Sequence, residues 1–260
     1  MNCLNYFARW NFLAVAVLFA LATFGLPSSA MGQDTAKSML QLAGKTAKQA
    51  RSKKGEERAK VYREALVAYS KVVDNWPDAL KEKARAFVET GRLHRKLKET
   101  PQALTAFEAA LATPGQARAH VMALESMASL HRKQKNLKGV RETYERLIRD
   151  CAGEDRSCAK AKLSLASLAR RAHQWNESDR LAKSVLDDTP QLWRENVDAG
   201  NAIVSGLIKR REWRKALDSL KAQDEFLRSR FESTETWAKV QKAMAKMSAR
   251  RTLTPVTESD

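Results

Sequence analysis

Leu93-His94-Arg95-Lys96 returns 37 residues later as Leu130-His131-Arg132-Lys133. Ser167-Leu168-Ala169-Arg170-Arg171 lies 38 residues beyond Ser129-Leu130-His131-Arg132-Lys133, and Ser205-Gly206-Leu207-Ile208-Lys209 another 38 beyond that. A fixed period of this length marks stacked supersecondary units, none of which can bury its apolar face alone. Between the copies Gly and Pro are scarce, and apolar residues recur at spacings of three and four among Lys, Arg, Glu and Gln, which is the helical pattern. The expected fold is all-α: an α-α superhelix of helical hairpins with a C-terminal capping helix. Stacked repeats work mainly by displaying a surface, so the period points to binding rather than catalysis.

Position by position, one unit carries Ala84, Phe87, Gly91 and His94 on its first helix and Ala103, Phe107, Ala110 and Leu111 on its second, with Pro114 near its close. The next reads Leu124, Ala128, His131, Val140, Tyr144 and Leu147. Leu165, Ala166, Ala169, Trp175, Ser178, Val185 and Pro190 follow, then a fading copy with Trp213, Ala216 and Leu220. Upstream, Ala65, Tyr69, Val72 and Pro77 match only a second helix. This pattern resembles the tetratricopeptide repeat over residues 56–222, two units closely and three loosely. Small residues such as Gly91 and Ala128 would let paired helices approach, and Phe107 or Tyr144 would fill the gap between pairs. The resemblance implies a concave groove lined by the first helices and suited to extended peptides or partner helices. The period exceeds the usual 34 or so residues, so a related, longer helical-hairpin repeat also fits. The extra length is expected in links such as Asp150 to Cys158 and in a long first turn from Arg51 to Glu57.

The ends divide the chain further. Arg9 precedes an apolar run of 15 residues from Phe12 to Leu26, then Pro27 and Ser28-Ser29-Ala30, the order of an export signal. Residues 1–30 are therefore expected to be a signal peptide, with an uncleaved N-terminal anchor as the alternative, and the protein to be periplasmic or secreted. Residues 31–55 are expected to form an N-terminal helix, 223–251 capping helices and 252–260 a disordered tail. In the last helix Trp237, Val240, Met244 and Met247 share one face, which suits a cap; its Lys and Arg residues leave a membrane-surface helix open. The chain carries a net charge of +17. Such an excess favours acidic partners, here an acidic protein or peptide, with a membrane surface possible and nucleic acid not expected after export. Nothing in the sequence sets the oligomeric state.

Candidate chemistry is sparse. Cys151 and Cys158 flank a small polar loop and, in an exported chain, are expected to form a disulfide; two free thiols are the alternative. No metal site or cofactor is expected, because no cluster of His and Cys supplies ligands. His94 and His131 share one repeat position, which suits packing. No nucleophile motif or phosphate loop is present, so an enzyme is not expected. The candidate partner-binding residues form a basic ladder with its neighbours: Arg92, Arg95, Lys96, Ser129, Arg132, Lys133, Ser167, Arg170, Arg171 and Lys209. The basic pairs of that ladder, the last being Lys209-Arg210, would give the groove a positive stripe for carboxylates. The same residues in the last turn of a helix also stabilise its dipole, by about 0.3–1 kcal/mol each.

Overall fold

The structure, a computed structural model, describes residues 28–150 and 153–248. Of the expected signal peptide only Ser28, Ser29 and Ala30 fall within these residues, while the expected tail and Cys151 lie outside them. Among the described residues every regular element is helical: α1 (Ser28–Gln49), a 3-10 turn (Ala50–Ser52), α2 (Gly55–Asn75), α3 (Leu80–Lys96), α4 (Thr100–Leu111), α5 (Ala117–Lys133), α6 (Leu137–Asp150), α7 (Asp155–Arg171), α8 (Trp175–Asp188), α9 (Trp193–Lys209), α10 (Trp213–Phe231) and α11 (Trp237–Ser248). No described helix is long and apolar enough to cross a membrane. The chain divides into two compact units, up to Glu89 and from Thr90 onward.

In the first unit α1 and α2 pack as an antiparallel hairpin. Ala36, Leu40 and Ala43 of α1 and Tyr62, Ala65, Tyr69 and Val72 of α2 are buried at spacings of three and four, so each helix turns one stripe inward. The expected lone second helix thus has a partner. The helix placed over residues 31–55 runs from Ser28 to Gln49 and ends in the 3-10 turn.

In the second unit each helix packs on the next from α4 to α10, and α7 also touches α9. Close packing of small on large is clearest where Gly91 faces Phe107: a Cβ on Gly91 would lie 2.5 Å from the Phe107 ring. Phe107 is fully buried as a result. The link after α6 is shorter than the sequence suggested. α7 starts at Asp155, so Cys158 sits in its first turn and not in a loop. The added length lies in the first helices, since α3, α5, α7 and α9 each run 17 residues.

One backbone motif recurs in every hairpin of the series. Lys98, Lys135, His173 and Arg211 all take the left-handed conformation, with φ of 64°, 57°, 58° and 62°. The next residue's N–H then reaches back five positions: Glu99 to the His94 carbonyl, Asn136 to His131, Gln174 to Ala169 and Glu212 to Leu207, at 2.9–3.0 Å. This is the closure that satisfies orphan carbonyls at a helix end. His94 adds a 2.7 Å contact from Nδ1 to Glu99 Oε2, and His131 approaches Asn136 at 3.4 Å. The repeated histidines therefore close turns.

At the other end Val240 is fully buried against Val197, Leu227 and Phe231, with Trp237 and Met244 beside them. The apolar face of α11 lies on α9 and α10, as a cap requires. α10 continues through Ala222, the expected boundary of the repeats, without a break.

Candidate binding groove

The left-handed turn fixes the register between units, and the register places the side chains. Counting from Lys135, His173 and Arg211, the counterparts of Arg132 are Arg170 and Ile208, and those of Lys133 are Arg171 and Lys209. Lys209-Arg210, read in sequence as the fourth basic pair, is thus one residue out of step.

A groove of about 650 Å³ crosses α5, α7 and α9 on their shared face. α5 contributes Glu125 and Arg132, α6 Tyr144 and Leu147, α7 Lys160, Leu163, Ser164, Ser167 and Arg170, and α9 Asp198, Asn201 and Ser205. Arg132 and Arg170 occupy the same level, near the helix C-termini. Lys160 and Asp198, also 38 residues apart, share a level roughly three turns nearer the N-termini. The residues of α7 fall at spacings of three and four because they form one stripe of a helix.

The ladder separates into two rows. Its first members are bonded within the stack. Arg95 Nη1 donates to Ser129 Oγ at 3.2 Å, so Ser129 links units and does not line the groove. Arg92 Nε reaches Ser126 Oγ at 3.5 Å one turn earlier. Arg132 donates to the Tyr144 hydroxyl and lies 5.8 Å from its ring centre. Arg170 Nη1 donates to the Ala202 carbonyl of the following unit at 3.2 Å. A guanidinium carries five N–H donors, so Arg132 and Arg170 keep others for a ligand while these bonds hold them in place. The second members, Lys96, Lys133, Arg171 and Lys209, are exposed and do not line the groove, being rotated by roughly 100° around their helices. Adjacent cations of the ladder thus lie on two faces of each helix.

The groove is also less uniformly basic than expected. Glu125 accepts from Ser157 Oγ at 3.1 Å. Asp198 keeps contact with solvent, yet the groove walls strip part of its hydration and raise its carboxyl above the ordinary aspartate range, with the Glu195 charge adding to the effect. Glu195 itself is buried behind the groove and pairs with Arg156 at 3.3 Å. The period could have found Lys160 and Asp198, since they repeat at 38 residues, but their side chains do not resemble each other. Cys158 is disulfide-bonded, while Cys151, its expected partner, lies outside the described residues. No metal-ligating group of side chains occurs among the described residues.

Hairpins closed by one repeated turn, small-on-aromatic packing and a face formed by successive first helices are now all in place. The fold is tetratricopeptide-like. No protein-family model matches the chain, and no curated protein matches it in sequence. Among solved structures it is similar to the crystal structure of MamA protein, at 13% identity and a TM-score of 0.48, over 75% of this chain and 97% of that one. It is also similar to the TPR2AB-domain:pHSP90-complex of yeast Sti1, at 14% identity and a TM-score of 0.35, over 83% and 99% of the two chains.

Proposed function

We propose that this chain is an exported, non-catalytic scaffold that holds a segment of a partner protein in the groove across α5, α7 and α9. The observation that carries the reading is the pair Arg132 and Arg170, held at one level by Tyr144 and Ala202 with donors to spare. Carboxylates of the partner would lie at that level, and donors or a basic side chain near Glu125 and Asp198. Export rests on the N-terminal apolar run and its small-residue end, and intact-mass measurement of the secreted chain checks cleavage.

The test is selection from a displayed random-peptide library, followed by titration of the enriched peptides. Enriched peptides should carry at least one acid and should bind Arg132→Glu/Arg170→Glu about tenfold or more weakly, as expected when two charge-assisted contacts become repulsive. Equal binding by the double variant at unchanged stability would sink the groove reading. A second reading rests on the exposed row Lys133, Arg171 and Lys209, none of which makes an ion pair among the described residues: a contact with anionic lipid or polysaccharide. Vesicle binding that falls with salt, and with charge reversal of that row but not of Arg132 and Arg170, is its signature.

A further inference from the structure

The terminal hairpin leaves open a position that the inner hairpins fill. At the first residue of each second helix stand Leu137, Trp175 and Trp213, and one turn later Arg141, Asp179 and Leu217. In the two inner units the later position reaches the following hairpin: Arg141 Nη2 donates to Gln174 Oε1 at 3.3 Å, and Asp179 Oδ2 accepts from Arg210 Nη2 at 2.8 Å. Arg210 also lies 5.8 Å from the centre of the Trp175 ring. The later position of the second helix is therefore where the stack continues, whereas Leu137, at the earlier position of α6, is itself 59% exposed. In α10 both positions are apolar and open, with Trp213 47% and Leu217 51% exposed.

Its rim is cationic. Lys209, Arg211, Arg214 and Lys221 are exposed and form no ion pairs among the described residues. Lys215 is already paired with Glu212 at 2.8 Å, and Asp218 is the one acid on the adjoining turn. An apolar pair at helical spacing, at the opposite end of α10 from the Leu227 and Phe231 that α11 covers, with free cations close to it along the chain, fits one kind of occupant.

We propose that Trp213 and Leu217 dock an acid-flanked amphipathic helix of a partner protein along the N-terminal half of α10. The two apolar side chains supply the anchor, and the four cations choose a partner with carboxylates beside its apolar stripe. A second copy of this terminal face is disfavoured by its own charge, since like rims would meet. The surface is distinct from the groove, so the two proposals fail separately.

The probe is a fluorescein-labelled 17-residue helical peptide, the length of the first helices, with Leu at spacings of three and four and Glu on both flanks. A control peptide carries Lys in place of Glu. By fluorescence anisotropy the Glu peptide should bind at least about tenfold more tightly than the Lys peptide, and about tenfold more weakly to Trp213→Ser/Leu217→Ser, as for loss of an anchor. The same loss on Trp213→Ser/Leu217→Ser should be seen in the Arg132→Glu/Arg170→Glu background, which removes acidic-peptide binding in the groove. Far-UV circular dichroism of the Trp213/Leu217 variant should match that of the unaltered protein. Equal binding of both peptides, or no change in that variant, overturns the proposal. Binding of phosphatidylglycerol vesicles through Trp213 and Leu217 without peptide binding also overturns it and assigns the surface to lipid. Concentration-dependent dimers lost in the variant would assign it to a second copy instead.

Discussion

Single side chains decide how closely the helices of this stack approach. Gly91 has room for no Cβ because the Phe107 ring already fills that space, and Phe107 is buried only because Gly91 is bare. Asp198 shows the opposite economy, a charge kept at the groove although its surroundings disfavour it. Its carboxyl is raised, chiefly by lost hydration and secondly by Glu195. The ionised form is then less favourable in the folded chain than in the unfolded one. That cost is absent below the ordinary aspartate value of 3.8 and is felt in full only above the raised one. Asp198→Asn should therefore melt higher than the unaltered protein at neutral pH, with the difference vanishing at more acid pH. Thermal melts across pH check this, and a constant difference would show that another effect of the amide is responsible.

At the scale of the element, the turn between paired helices is the most regular feature of the chain. Four residues with side chains hold a conformation that glycine adopts without cost, and all four are Lys, His or Arg. Their position just past a helix C-terminus explains the choice, because positive charge there complements the helix dipole. None of these four belongs to the basic ladder read in sequence, whose pairs end one or two residues before them. Lys135→Gly should raise stability by about 0.5–1 kcal/mol, the left-handed strain relieved less the added freedom of the unfolded chain. Lys135→Val should lower it, since a β-branched residue is worse placed there. Chemical denaturation of the two variants measures both signs. Helix length belongs to this scale too: the 17-residue first helices absorb the residues beyond the usual period, which the sequence suggested would lengthen the links.

Over the whole molecule, the helices of the second unit touch mainly their neighbours in sequence, so damage should stay local. Phe107→Ala removes a fully buried ring and should cost about 3–5 kcal/mol. Hydrogen exchange should then show lost protection in α4 to α6, while α9 to α11 keep theirs. Uniform loss across the second unit would mean that it folds as one cooperative block. The groove and the Trp213–Leu217 surface are separate products of the same stacking, one from successive first helices and one from the open N-terminal half of α10.

The repeat period, the helical spacing of apolar residues and the small-on-aromatic positions were legible in the sequence because each is a local or strictly periodic property. Arg132, Ser167 and Arg170 were found that way, and the structure brings all three into one groove. Other features depend on rotation about a helix and on register between units, which no local pattern records. Lys133 and Arg171 follow Arg132 and Arg170 by one residue yet face away from the groove. Ser129 repeats with Ser167 but is taken by Arg95. Arg210 looked like a rung of the ladder, whereas the repeated turn places Ile208 level with Arg170. Periodicity determined that the chain stacks as helical hairpins, whereas tertiary structure decided which cations face the groove. The reason is geometric: one residue along a helix turns a side chain through roughly 100°, so adjacent residues of the same charge serve different surfaces.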